Sequence, residues 1–568
     1  MRRQRCAHPA GAVRPPAGPA PALRQRNIGR SGHSRRAWER LAFAAVLAFL
    51  GVTGTLGSWP LVGTGAGAAP AATPDPNAFT VYHDDAAGAG VVASVRSVVT
   101  SRRAWTSPTL DGQIYGEPLV AGGRVYVATE NDTVYGLSSA SGAVQWSRHL
   151  GTPVPSSSLG CGDITPEVGI TGTPVIDEAR AEIFVIADEL LNGSPGHRLV
   201  GLSLASGAIE MSEPVDPPGV ETAAILQRTG LALDGDEVVF GFGGNDGDCP
   251  TYHGWVVAAS ETGGTPLDFE VDAAAGDDQG AVWMGGAAPA VNAAGDILVE
   301  AGNGSVKSSD EPYDDSDSVL DLSPSLRLLQ YFAPSTWPSD NAHDLDLSME
   351  PVLLAGGDIV AAGKSRIAFL LNGRRLGGIG GQEAELGSLC NGDIDGGSAV
   401  VGTTIYLPCL SGIVAVSVET SPPALRLRWS SGTGGGPPIV AGGLVWTIGQ
   451  DGRLYGLDPA TGAVRQQASI GNPANHFPTP SAGDGLLLAP TADQIVAFTA
   501  NLTTGPTTTT TTLPGASTTS VPPVTSTSGA TKGSSSSISA GLIAGIVVAG
   551  GALGAAMGWV IVRRRRAG

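Results

Sequence analysis

One phrase recurs along the chain, and the recurrence limits what the chain can fold into. Residues 452–466 read Gly-Arg-Leu-Tyr-Gly-Leu-Asp-Pro-Ala-Thr-Gly-Ala-Val-Arg-Gln. The first half alternates polar and apolar side chains, as a half-buried strand does. Pro-Ala-Thr-Gly is turn chemistry, with Gly462 free to take positive φ. Val-Tyr-Gly-Leu-Ser-Ser-Ala-Ser-Gly-Ala-Val-Gln-Trp occupies 134–146, and Val-Gly-Leu-Ser-Leu-Ala-Ser-Gly-Ala-Ile-Glu-Met occupies 200–211. A second shared phrase, with Val-Ala-Gly-Gly near its start, precedes two of the copies at 118–133 and 438–453. A unit of four short strands cannot bury its faces alone, so such units stack radially into a propeller.

Eight positions open such units: Pro118, Pro174, Ala232, Pro289, Pro351, Ala399, Pro438 and Pro480. Eight openings predict an all-β, eight-bladed propeller over 99–501. The eighth unit runs out of chain before its outermost strand. Upstream, Arg103-Ala-Trp105 resembles the Val-Gln-Trp at 144–146 and the Leu-Arg-Trp at 427–429. The N-terminal strand is therefore expected to complete the last blade, which leaves no long unpaired sheet edge. The Trp residues at these positions are expected to pack between blades. With 82 Gly, 15% charged and 5% aromatic residues, the composition suits a turn-rich β protein.

The two ends read differently. Ten Arg and one Glu fill 1–40, an apolar run follows at 41–57, and Ala66-Gly67-Ala68 is a small-x-small cleavage signal. Residues 1–68 read as an export signal with a long basic lead. Ser34-Arg35-Arg36 loosely resembles a twin-arginine signal, an ordinary secretory signal is the simpler reading, and a retained anchor is a third. Residues 69–98 read as a linker. Residues 502–537 are almost all Thr, Ser, Pro and Gly and read as a disordered stalk. The 25 uncharged residues at 538–562 are long enough to span a bilayer as one helix. Arg563–Arg566 follow, so the tail 563–568 is expected in the cytoplasm and the propeller on the extracellular side of the cell membrane.

Residues 1–40 and 563–566 hold 14 of the 33 basic residues and 1 of the 52 acidic ones. The remainder carries 19 against 51, about −32. Nucleic acid, which needs basic patches, is not an expected partner. Cys161, Cys249, Cys390 and Cys409 remain after the lead and allow three pairings. The favoured set is Cys161–Cys249 and Cys390–Cys409, each joining neighbouring blades. No Cys/His cluster with zinc spacing is present.

The repeated phrase resembles that of the pyrroloquinoline quinone (PQQ)-type propellers, a family of quinoprotein alcohol dehydrogenases and non-catalytic scaffold lipoproteins. The resemblance spans roughly 100–500 and speaks to fold more than function. It implies a set of site residues. Trp283 resembles the family's platform under the quinone. Asn303, in Gly-Asn-Gly-Ser, resembles a calcium ligand. Asp344, in His343-Asp344-Leu-Asp346, resembles the catalytic base and a further ligand. Lys364 resembles the basic group at the quinone, and Glu189 a third calcium ligand. Calcium takes such oxygen donors and polarises a carbonyl, while a carboxylate removes the alcohol proton. The chain departs from the pattern in having no adjacent Cys pair and no CxxCH haem motif. A binding or interaction platform for a protein or carbohydrate ligand is the leading expectation. A calcium- and PQQ-dependent alcohol or sugar dehydrogenase is the alternative.

Three further stretches carry polar groups. Asp310 to Asp317 is acidic enough to hold calcium but lacks EF-hand spacing, and reads first as a solvated loop. Asn391 to Gly397 gathers carboxylates beside Cys390. Asp248 to Trp255 is expected to serve as core or turn, with lining of the axial channel as the other reading.

Overall fold

The computed structural model describes residues 75–503, apart from 275 and 475. The export signal, nearly all of the stalk, the span at 538–562 and the tail lie outside the described residues. Among the described residues no helix is long and apolar enough to cross a membrane.

Eight antiparallel sheets follow one another along the chain. The first is built from Leu119–Ala121, Arg124–Thr129, Thr133–Ser138 and Val144–His149. Blades 2 to 8 occupy 175–214, 232–270, 290–333, 352–386, 399–430, 439–469 and 481–502. All eight opening positions fall at or just before an innermost strand. Closure is as expected: Val95–Thr106 pairs antiparallel with Ile495–Leu502 as the outermost strand of blade 8.

The period of two along each strand turns alternate residues toward opposite neighbours. In blade 2, Ile183 and Val185 join the core shared with blade 1, while Phe184 and Ile186 join the core shared with blade 3. The turn of the repeated phrase locks successive blades. Trp105 of blade 8 lies on Gly142 of blade 1 and donates to Ser139 O at 2.7 Å. Trp146 of blade 1 lies on Gly207 of blade 2 and donates to Leu204 O at 3.1 Å. Trp429 of blade 6 lies on Gly462 of blade 7 and donates to Pro459 O at 3.0 Å. Each of these glycines has positive φ, and a Cβ there would stand within 2.5 Å of the ring.

Both disulfides have the expected pairing. Cys161–Cys249 joins the link into blade 2 to blade 3, and Cys390–Cys409 joins the link into blade 6 to that blade.

Of the expected linker 69–98, the described part is packed against the ring. It touches the blades in order, where their inner strands turn. Asn77 O accepts from Asp484 N of blade 8, and Phe79 exchanges backbone hydrogen bonds with Val120 of blade 1. Thr80 O accepts from Ile176 of blade 2, Ala86 O from Val291 of blade 4, Ala89 O from Val400 of blade 6 and Gly90 O from Val440 of blade 7. Tyr82 and His83 cross the axis. His83 N donates to Glu117 of blade 1 at 2.9 Å, and its Nδ1 lies 3.1 Å from Ser398 O of blade 6. Gly397 N donates to the Tyr82 hydroxyl at 3.1 Å. The stretch reads as a linker because it lacks strand alternation; its order comes from the innermost strands it packs against.

Candidate functional site

In an antiparallel meander, the links between blades and the turns between second and third strands share one face of the ring. The N-terminal segment lies against the innermost strands toward the other. The residues singled out between 283 and 364 all fall on the linking face. Trp283 sits in the link into blade 4, and Asn303 just past that blade's second strand, Ile297–Ala301. A short helix, Trp337–His343, ends with Asp344 in the left-handed region (φ 56, ψ 54). Asp346 follows in the link into blade 5. Lys364 comes just past the second strand of that blade, Asp358–Ala362.

These side chains converge. The Lys364 ammonium donates to Asp344 Oδ1 at 2.9 Å and reaches Asp346 Oδ2 at 2.7 Å. The Asn303 backbone N–H donates to Asp346 Oδ1 at 2.7 Å. With its amide nitrogen facing the carboxylates, the Asn303 side chain donates to Asp346 and, at 3.2 Å, to Asp344 Oδ1. Gly302 leaves room for this, since a Cβ there would meet Asp346 Oδ1 at 2.9 Å. The ammonium also stands 5.3 Å from the centroid of the Trp283 ring, within cation–π range. Phe477, from the link into blade 8, has its ring 6.0 Å from that of Trp283.

Burial sets the electrostatics. Asp346 is 4% exposed, and burial pushes its carboxyl above the usual range while Lys364 and the Asn303 N–H pull it back. Burial works to lower the Lys364 pKa, but Asp346 and Asp344 outweigh it and the ammonium is held charged. The buried pair and the more exposed Asp344 thus form a clamp in which one ammonium bridges two carboxylates beside the partly buried Trp283 and Phe477 rings.

Glu189 stands apart. Its carboxylate faces Arg198 Nε at 3.5 Å and packs against Gly151. In that strand it is the adjacent Asp188 that is buried, 3.6 Å from His197. The donor set does not fit calcium: an ammonium already lies against both aspartates, and Glu189, the further carboxylate expected, is paired with Arg198 elsewhere. Among the described residues no group of three His, Cys, Asp or Glu side chains is placed to hold a metal ion.

Three contributors had little signal in the sequence. Asp346 shares a motif with Asp344, and nothing in the motif says that it is the buried one. Phe477 comes from a link with no repeat pattern. Arg228 is buried at the same face, 5.7 Å from the Tyr115 ring centroid, and donates to His476 O at 3.4 Å. Asp248 to Trp255 takes its core role: Tyr252 and Trp255 are buried, and the Tyr252 hydroxyl donates to Asp248 at 2.9 Å. Within Asn391 to Gly397, Asp395 is buried and accepts from Ser348 Oγ at 2.7 Å.

Fold and repeat together define a PQQ-like propeller protein. Residues 88–243 match the family described as outer membrane protein assembly factor BamB. Solved structures share the fold at low identity. Quinohemoprotein alcohol dehydrogenase from Comamonas testosteroni is 14% identical with a TM-score of 0.54, over 74% of this chain and 80% of that one. A europium-containing methanol dehydrogenase is 14% identical with a TM-score of 0.54, over 75% of this chain and 98% of that one. No curated protein sequence matches the chain.

Proposed function

We propose that the protein is a membrane-anchored binding module. Its propeller stands outside the cell on the 502–537 stalk, held by a span at 538–562, and its linking face takes a carbohydrate. The observation that carries the reading is the clamp beside the half-exposed Trp283 and Phe477 rings. Sugars offer an apolar C–H face that stacks on an aromatic ring and hydroxyls that pair with carboxylate, amide and ammonium groups. Two neighbouring aromatic rings with a few fixed polar groups beside them meet both needs. Because Lys364 is already paired with both aspartates, a neutral ligand displaces no counter-ion. The similarity of 88–243 to an assembly factor family also leans toward binding rather than catalysis.

The convergence of Trp283, Asn303, Asp344 and Lys364 favours one other reading, a quinone-dependent dehydrogenase. The position of Glu189 and the occupied clamp weigh against it. Titration calorimetry of the full-length chain against a panel of bacterial and host glycans tests the first reading, with Trp283→Ala and Lys364→Met as variants. The expected result is saturable binding, weakened at least tenfold in both. Absence of glycan binding, together with dye reduction after addition of PQQ and calcium, would establish the dehydrogenase instead.

A further inference from the structure

The Trp283 and Phe477 rings have a second cation beside them. Arg228, in the link into blade 3, is 7% exposed. Its Nη2 donates to His476 O at 3.4 Å, and its Cζ lies 5.7 Å from the Tyr115 ring centroid. No carboxylate stands within ion-pair distance of it among the described residues. Two nearby acids are engaged elsewhere: Glu130 Oε2 accepts from Gly169 N at 2.7 Å and Thr171 Oγ1 at 3.1 Å, and Asp163 pairs with His476 Nδ1 at 3.0 Å. A guanidinium stays protonated in proteins, so Arg228 is a fixed charge, and a buried charge is costly unless something pairs with it. Its Nε and Nη1 have no hydrogen-bond partner among the described residues, and neither is sealed from solvent. The guanidinium also meets the backbone that carries both rings. Nη1 lies against Gly286, where a Cβ would clash with it, and Gly286 N donates to Trp283 O at 2.9 Å. Phe477 follows the residue whose carbonyl takes Nη2, and its ring stacks on that residue's imidazole at 5.1 Å. The aromatic pair thus has Lys364 over the Trp283 ring and Arg228 at the backbone of both rings.

We infer that the carbohydrate taken on this face is acidic, and that Arg228 receives the carboxylate of a uronic acid residue while the sugar ring stacks on Trp283 and Phe477. The inference rests on the carbohydrate reading above and names the class of sugar. The two cations differ in what they still lack. Lys364 is already paired with Asp344 and Asp346, so that end meets neutral hydroxyls. Arg228 has no anion, and a carboxylate supplies one in the planar, paired geometry that a guanidinium matches. A dense polyanion fits less well. Between its basic ends the chain carries 19 basic residues against 51 acidic ones, so a run of sulfates meets repulsion that a single carboxylate held on Arg228 does not.

The test is titration calorimetry of the full-length chain with short oligomers of galacturonic, glucuronic and mannuronic acid, each beside its methyl ester, which keeps the rings and removes the charge. At least one acid is expected to bind about ten- to a hundredfold more tightly than its ester, the range that a hydrogen bond to a charged group commands. Arg228→Gln is expected to lose that preference and still bind the ester. Arg228→Lys keeps the buried charge, and with it the fold, but not the planar fork, and is expected to fall between the parent and Arg228→Gln. Trp283→Ala is expected to weaken acid and ester alike. Equal binding of acid and ester by the parent, an acid preference that survives in both Arg228 variants, or equal affinity for a heparin oligosaccharide would each overturn the assignment of Arg228 and leave carbohydrate binding standing. Binding of neither form while neutral glycans bind would overturn this inference alone, and binding of no glycan at all would remove the carbohydrate reading with it.

Discussion

The Trp-on-Gly lock makes a quantitative prediction. Ala at Gly462 meets two penalties. Its φ of +70 costs an L-residue about 1–2 kcal/mol. Its Cβ would stand 2.5 Å from Trp429 Cε3, so the indole must move and give up its 3.0 Å bond to Pro459 O, about 1 kcal/mol, with some loss of packing. The sum is about 3 kcal/mol. Gly122 provides the control: its φ is +56, but nothing lies within 4 Å of the Cβ position, so Ala there meets only the backbone penalty. Unfolding entropy of about 2.1 cal/mol/K per residue over roughly 430 residues makes each kcal/mol worth about 1 °C. Differential scanning calorimetry should therefore place Gly462→Ala about 3 °C below the parent, and Gly122→Ala between 1 and 2 °C below. Gly142→Ala and Gly207→Ala should fall with Gly462→Ala, since Trp105 and Trp146 sit on them in the same way. If all four variants melt together, the rings contribute nothing beyond the turn, and the lock is wrong.

Two further outcomes follow from buried carboxyls and from the disulfides. Burial, then Asp188, Glu189 and Glu130, pushes the fully buried Asp132 up to about 9, and burial lifts Glu130 and Asp395 to about 7. These groups bind their protons more tightly folded than unfolded, so stability falls as pH rises from the unfolded carboxyl pKa near 4 toward 7, and for Asp132 toward 9. Each group contributes at most about 1.4 kcal/mol per pH unit in its window. Thermal melts of Asp132→Asn should lose less stability than the parent between pH 5 and 8; parallel profiles would refute the assignment. Cys161–Cys249 closes 88 residues and Cys390–Cys409 closes 19. Loop entropy then makes Cys161→Ser/Cys249→Ser costlier than Cys390→Ser/Cys409→Ser, about 4.6 against 3.2 kcal/mol, and denaturant midpoints showing the reverse order would count against it.

The ring was legible because its determinants are local and recur. Eight opening positions from Pro118 to Pro480 gave the blade number, a turn glycine under a Trp of the preceding blade marks three of the interfaces, and Trp105 pointed to closure. The site was half legible. Asn303, Asp344 and Lys364 sit beside short recognisable phrases, but their convergence depends on two neighbouring blades. Asp346 is distinguished from Asp344 by tertiary burial alone: Asp344 ends the short helix in an exposed position, and Asp346 lies buried two residues on. Phe477 arrives from four blades away, across the axis. Glu189 illustrates the same limit: one residue along the strand, Asp188 is buried and Glu189 is not.

Closure of the ring by its N-terminal strand has a consequence for how the molecule is made. Val95–Thr106 leaves the ribosome early, yet its partner, Ile495–Leu502, is among the last parts of the ring to be synthesised. Tyr82 and His83 likewise wait for Glu117, Gly397 and Ser398. The pairing with the highest sequence separation is thus also the one that seals the structure, and such non-local contacts are slow to form. A chain emerging amino end first keeps its leading strand unpaired until the last blade arrives, and aggregation through that exposed edge is the hazard of the interval.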